Sequence, residues 1–292
     1  MPVEVFDPHT ATVGRATVRR ALPRRGLRTI GAWCFADQMG PEFVTETSGL
    51  DVGPHPHTGL QTATWLLEGA VLHKDSLGSE QLIRPGQLNL MTAGRGIVHA
   101  EEAVNTYRGN LHGVQLWIAQ PDSTRNGDSA FAHHGELPAF EADGLRATVF
   151  VGELGGVASA AQTALPLVGA EIALARGAHT LQLRPDFEYG VIALDETVAV
   201  DGHRLDWGQL ASLGAGNERV TLQADGAARI MLLGGVPFGE RLTMWWNFIG
   251  RSTDEVAGFT RDWMSHGERF GDVASTLART DAPRPPWEPV HS

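Results

Sequence analysis

Apolar and polar positions change over in short bursts along most of this chain, and turn residues break them every eight to twelve positions. Residues 60–67 alternate enough to predict a strand, which Glu68-Gly69 turns. Shorter strands are predicted at 71–76 and 81–83, joined by Leu77-Gly78-Ser79. Arg84-Pro85-Gly86 turns the chain again before a strand at 87–91. Upstream, the apolar run 29–35 predicts a strand, and 37–41 reads as a turn punctuated by Gly40-Pro41. From Leu145 onward a similar set follows, at 147–152, 180–183, 190–194, 197–200, 209–213, 220–223 and 228–233. Asp201-Gly202 marks a hairpin between two of them. Only near the end does the period become helical, with Val256, Phe259, Trp263 and Met264 behind a Ser252…Glu255 capping box. A helix from Thr253 to about Glu268 is expected there, then a Pro-rich extended tail.

This pattern predicts an all-β protein built as two jelly-roll barrels in tandem with a C-terminal helix. The stretch 120–144 loses apolar periodicity and reads as the crossing between domains. The expected division is 1–132 and 133–292. The rhythm of HRLDWGQLASLGAG (203–216) echoes QLIRPGQLNLMTAGRG (81–96), which predicts an internal duplication.

Composition narrows the classes. The 292 residues include 35 glycines and 16 prolines, which suits many tight turns. A formal net charge of −11 argues against nucleic acid or an anionic membrane as partner. The six arginines between positions 15 and 28 could form an anion- or partner-docking patch, but a strand and turn whose arginines pair with the protein's own carboxylates is the expectation. A single cysteine, Cys34, rules out an internal disulfide and is expected to be buried and inert. No signal pattern opens the sequence and no apolar run is long enough to span a bilayer, so a cytoplasmic monomer is expected.

The candidate chemistry lies between Gly53 and Glu102. His55 and His57 stand two apart, and so do His99 and Glu101. On extended strands that spacing puts both members of a pair on one face. Two such strands meeting inside a barrel give three imidazoles and a carboxylate around one ion. Those donors suit Fe(II), Mn(II), Ni(II) or Zn(II) better than calcium or magnesium. His112 and Gln115, and His73 with Asp75, are candidates to hydrogen-bond the ligands, although an outward-facing pairing of His73 with Asp75 is an equal alternative. Gly94-Arg95-Gly96 reads as a turn delivering His99 and Glu101, since no helix pattern follows to make it a phosphate cradle. His133-His134 reads as part of a solvated loop, and the isolated His179 and His203 leave the second barrel without an expected metal.

HPHTGLQTATWLLEGAVLHKDSLGSEQLIRPGQLNLMTAGRGIVHAEE (55–102) resembles the signature of the pirins, a branch of the cupin superfamily. The likeness extends upstream through VRRALPRRGLRTIGAWCFADQMGP (18–41) and downstream to HGVQLWI (112–118), and Met244–Phe248 resembles the segment before the last helix of bacterial pirins. The resemblance implies a mononuclear iron held by His55, His57, His99 and Glu101. Where a general cupin has a Glu four residues after its second His, this chain has Gln61, and Glu101 supplies the carboxylate. Thr58 and Leu90 depart from the animal pirin pattern. The resemblance further implies quercetin 2,3-dioxygenase activity on a small aromatic substrate, with Glu101 as base and Fe(II), or Zn, Ni or Mn as surrogate, as cofactor. Its alternative implication is a redox-dependent regulator that binds a transcription factor or metabolic enzyme without turnover.

Overall fold

The computed structural model describes residues 3–14, 16–45, 50–104 and 107–288. Arg15 of the basic stretch and the last four residues of the Pro-rich tail lie outside them. The fold is all-β apart from one short helix, α1 (Thr253–Met264).

The first strand, β1 (Glu4–Phe6), leaves its own half and pairs with Leu210–Gly214 in the sheet of the second barrel. The first barrel is then built from β2 (His9–Val13), β3 (Ala16–Leu22), β4 (Trp33–Val44), β5 (Val52–His57), β6 (Leu60–Glu68), β7 (Val71–Asp75), β8 (Glu80–Ile83), β9 (Leu88–Thr92), β10 (Ile97–Ala103), β11 (Gly109–Ala119) and β12 (Ala130–His134). Its two sheets run β12-β9-β6-β11-β4-β3-β2 and β5-β10-β7-β8. In the second half, Leu167–Leu174 sits centrally between Ala228–Gly235 and Leu145–Leu154. That strand escapes a search for alternation because it is buried on both faces over most of its length and only Glu171 interrupts its apolar run.

β6 shows why its own alternation is faint. Thr64 turns inward, while Trp65 faces the other barrel and donates to Glu171 at 2.7 Å. Covered on both sides, the strand has no reason to carry a charged face. One apolar cluster accordingly spans both halves, from Trp33 and Trp117 to Phe150 and Met231. Trp33 is fully buried at the seam, and its indole N–H reaches the carbonyl oxygens of Val168 (3.1 Å) and Gly234 (3.2 Å).

The duplication is visible in detail. Gln87 Oε1 accepts from the Arg84 amide at 3.0 Å, and Gln209 Oε1 accepts from the Asp206 amide at 2.7 Å. Gly86 (φ 77°) and Gly208 (φ 82°) take the same left-handed place in each turn. The Asp201-Gly202 hairpin also forms, with φ of 47° and 79° as a type I′ turn requires.

Four readings need correction. Residues 37–41 are not a turn but the middle of β4, where pairing to β3 and β11 on both sides overrides the local Gly-Pro signal. Gly40 (φ 73°) is absorbed opposite a register shift in β11. His133 and His134 lie on an edge strand, β12, and His133 Nδ1 stands 2.7 Å from Asn89 Oδ1. The irregular stretch 120–144 contains that strand and Ala139–Ala142, half-exposed edges that carry no periodicity. The helix stops at Met264, a turn early, because Ser265 caps it and His266 goes left-handed (φ 57°). Its start is as expected: the Ser252 hydroxyl accepts from the Glu255 amide at 3.2 Å.

Trp33→Ala should cost about 3–5 kcal/mol, the range for deleting a large buried aromatic. Urea unfolding followed by far-UV circular dichroism measures this, and an unchanged midpoint would contradict the seam described above.

Candidate metal centre

β5 carries Gly53-Pro54-His55-Pro56-His57 and is the edge strand of the smaller sheet. An edge tolerates prolines, which have no N–H to donate to a neighbour. Period two turns both histidines into the barrel. Antiparallel pairing with β10 then sets His55 opposite His99, and His57 opposite Ile97. A register shift after His99 brings Glu101 opposite Val52. The Ala93–Gly96 turn before β10 delivers that strand, with the Gly59 amide donating to the Gly94 carbonyl at 2.9 Å.

Ligand nitrogens of His55, His57 and His99 all lie within 4.8 Å of one another. His57 Nε2 and His99 Nε2 are 3.0 Å apart. All three rings are buried, and burial lowers their affinity for protons: His55 falls to about 4, His57 and His99 well below the usual value. Neutral imidazoles keep lone pairs for a cation. His55 Nδ1 lies 2.9 Å from the Gly53 carbonyl, to which it donates, leaving Nε2 for the centre.

His99 is oriented by a longer chain. Its Nδ1 is 3.4 Å from His73 Nδ1, and His73 Nε2 is 3.0 Å from Asp75 Oδ2. Asp75 accepts from the amides of Leu77 (2.9 Å) and Ser79 (3.0 Å). Burial pushes the Asp75 carboxyl up, but the His73 and Ser79 bonds outweigh it and hold the group below its ordinary value. An ionised Asp75 takes the His73 Nε2 proton in a hydrogen bond, so His73 Nδ1 accepts from His99 Nδ1–H. The His99 Nε2 lone pair is thereby aimed at the centre. Of the two readings of His73 and Asp75, the inward one holds.

Glu101 is buried in the wall of the same cavity but stands outside the 4.8 Å group. Burial raises its carboxyl above the ordinary range, against the opposing pull of His73 and of a hydrogen bond from Thr64. Its Oε1 has no hydrogen-bond partner. An inward lone pair on His99 Nε2, with an unpartnered His57 Nδ1 and an unpartnered carboxylate oxygen nearby, leaves buried polar atoms that are costly without a partner. Two ligands at right angles on an ion with bonds of about 2.1 Å stand about 3 Å apart, the separation of the two Nε2 atoms. The donor set therefore fits a borderline divalent metal.

Gln115 also faces the cavity, with Oε1 buried and unpartnered. His112 does not: it meets Gln38 at 2.9 Å, and Gln38 bonds the Leu194 carbonyl of the other barrel. The cavity measures about 630 Å³. Its wall also includes Trp246 and Asn247, and the returning tail at Leu277–Thr280, which sequence reasoning missed. The Thr280 amide donates to the Pro54 carbonyl at 2.9 Å, a contact no local pattern signals. Gly53 allows it, since a Cβ there would sit 2.0 Å from the Ala278 carbonyl oxygen. Neither Thr58 nor Leu90 lines the cavity. Cys34 is buried in an apolar strand, its thiol pushed up to about 12 by burial. In the second barrel, the His179 ring nitrogens lie against the carbonyls of Asp143 (2.5 Å) and Ala175 (2.9 Å).

Asp75→Asn should weaken metal affinity about 10–100-fold, the usual cost of losing a partner behind a ligand. Competition against a chromogenic chelator measures it, and unchanged affinity would contradict the Asp75–His73–His99 chain. The metal-free protein should also be acid-sensitive. The folded-state values of the three histidines are depressed, so the unfolded chain binds protons first as pH falls. Stability should be complete above about pH 6.5 and decline toward the His55 value near 4. Chelator-treated protein melted across that window tests this, a flat profile being the contrary result.

The sequence profile described as Pirin matches residues 15–118, and that of the Pirin C-terminal cupin domain matches residues 169–271. A Pseudomonas aeruginosa protein named "Putative quercetin 2,3-dioxygenase PA1205" is 46% identical over 94% of this chain and 88% of its own. A pirin-like protein of Caulobacter vibrioides is 36% identical over 92% of this chain and 95% of its own. The crystal structure of a quercetin 2,3-dioxygenase from Acinetobacter baumannii superposes with a TM-score of 0.95 at 43% identity, covering 98% of this chain and 96% of that one. The fold is shared more distantly by an Escherichia coli pirin solved with nickel(II), at a TM-score of 0.65 and 16% identity over 81% of this chain and all of that one. With both halves matched in order and the histidine triad inside the first, this chain is a member of the pirin family.

Proposed function

We propose that the protein is a mononuclear iron dioxygenase acting on flavonol-type substrates such as quercetin, with the ion held by His55, His57, His99 and Glu101. The observation that carries this reading is the aromatic-walled cavity opening on the triad beside a buried carboxylate with an uncommitted oxygen. A volume of about 630 Å³ suits a ligand of drug size. Phe35 and Trp117 stack at 4.0 Å between centroids and offer a flat apolar wall. Trp117 in turn stands edge-on to His57, 5.1 Å away, so a planar substrate against that wall reaches the histidines.

A bound divalent metal supplies Lewis acidity at the substrate's oxygens and, as iron, one-electron chemistry with dioxygen. The chain's own part is to hold the ring system, exclude water and take a proton. Glu101 Oε1 is the acceptor for the proton of the substrate's chelating hydroxyl. That oxygen is buried in the cavity wall and carries no other hydrogen bond, so it is free to take the proton. Thr64 bonds the same carboxylate and keeps it oriented.

Protein loaded anaerobically with Fe(II) should consume dioxygen on addition of quercetin and release a ring-cleaved product. Glu101→Gln should lower the rate roughly 10²–10⁴-fold, the usual worth of a positioned base, and lower metal content far less. Gln still offers an oxygen to the metal but cannot take a proton. No oxygen uptake with flavonols or simpler enediols, together with a protein partner captured only by the Fe(III) form, would favour the regulatory alternative.

A further inference from the structure

Facing the triad across the cavity, the larger sheet carries a row of polar side chains at one register level. Thr64 on β6 pairs with Gln115 on β11, Gln115 with Asp37 on β4, and Asp37 with Arg20 on β3. The row starts at the residue that bonds Glu101 and runs three inter-strand spacings, about 14 Å, away from it. Packing alone does not call for such a row, since the inward neighbours on β11, β4 and β3 are Trp117, Phe35, Met39 and Val18. Two of its members are also left incomplete. Gln115 Oε1 is a buried acceptor with no donor. Arg20 spends Nε (2.8 Å) and Nη2 (2.7 Å) on Asp37, while Nη1 makes no hydrogen bond among the described residues.

Arg20 is held as a binding group is held. Asp37, only 3% exposed, grips it in a two-pronged pair, and its guanidinium lies over the Phe35 ring at 4.5 Å. Fixed on two sides, the side chain keeps 28% of its surface open, and it is the one cationic side chain among the described residues lining the cavity. The buried Gln115 acceptor is expensive until a donor meets it, and the uncommitted Arg20 Nη1 stands open to the cavity in the same wall.

We propose that Arg20 and Gln115 set the substrate specificity of this site: Arg20 Nη1 binds an acidic hydroxyl or carboxylate at the end of an aromatic substrate remote from the histidines, and Gln115 Oε1 accepts from a hydroxyl between. This rests on the flavonol reading for the identity of the ligand but not for the role of the two residues. The site then selects polyhydroxylated or carboxylated aromatics over bare ones that chelate the metal equally well.

The test uses full-length protein loaded with Zn(II), which binds without turnover, and follows quenching of tryptophan fluorescence. Quercetin and 3-hydroxyflavone share the chelating hydroxyl-ketone and differ in their remaining hydroxyls. Wild type should bind quercetin the more tightly. Arg20→Gln paired with Asp37→Asn, which leaves no lone buried charge, should weaken quercetin roughly 10- to 100-fold and leave 3-hydroxyflavone within about twofold. Gln115→Leu, which disturbs no ion pair and serves if the double variant does not fold, should show the same selective loss at smaller size. Equal weakening of both compounds, or of neither, overturns the proposal. If wild type binds neither flavonol, the flavonol reading fails by itself. The Arg20 role is then decided by 3,4-dihydroxybenzoate against catechol, where a preference for the acid that the double variant abolishes upholds it and no preference overturns it.

Discussion

Antiparallel pairing of β5 with β10 is the constraint on which the site depends. It places His55 across from His99 at the one register that also turns His57 inward. A slip of β5 by one residue would send His55 and His57 to the outer face and leave His99 inside, because side chains in a strand alternate. Much of the surrounding structure fixes that register. β7 pairs on the other side of β10 and brings Asp75 level with His99 and His73 level with Glu101. The same two residues that anchor the sheet therefore also set the tautomer of His99. On the open edge of β5, where no strand pairs, the returning tail bonds Pro54. An edge built from prolines is held by a segment from more than two hundred residues away.

That His55, His57 and His99 come together was legible in the sequence because the spacing matches a strand's own period, whereas Glu101 stands outside their group. His-x-His and His-x-Glu need no tertiary information to be placed on one face, and only the meeting of the two strands had to be supposed. The fold class was legible for a similar reason: turn chemistry such as Asp201-Gly202 and Arg84-Pro85-Gly86 is local and was obeyed. What stayed hidden is non-local. Gly40-Pro41 signals a turn by every local rule, yet β3 and β11 pair through it. The tail at Leu277–Thr280 has no pattern that says where it docks. The row from Thr64 to Arg20 is invisible because its members sit on four different strands and are aligned only by register. Arg20 itself belongs to a basic run expected to pair with the protein's own carboxylates. Its pairing with a carboxylate agrees with that reading, but its place in the cavity wall does not follow from it.

The two barrels share a chain pattern but divide the physical burden. In the first, the interior carries neutral histidines, a carboxylate with a raised proton affinity and an incomplete polar row, all of which cost stability when empty. In the second, the interior is an apolar cluster that runs from Leu145 to Leu232. The turn device of Gln87 recurs at Gln209, so the frame was repeated while the interior was filled differently. The halves are not independent, because β1 belongs to the second barrel's sheet and the tail closes the first barrel's cavity.

That exchange of ends bears on how the site tolerates its own cost. A polar interior opened to form a ligand cavity removes packing from the first barrel, and the loss must be offset elsewhere. The seam supplies the offset. Trp33, Trp65 and Phe150 meet there within one apolar cluster, with Trp65 and Phe150 stacked at 5.0 Å and Trp33 edge-on to Phe150 at 6.1 Å. β6 connects the two roles directly: Thr64 orients Glu101 on one face while its neighbour Trp65 packs into the seam on the other. A displacement of β6 at the seam therefore moves the Thr64–Glu101 contact with it, so the second barrel is part of what holds the carboxylate in place.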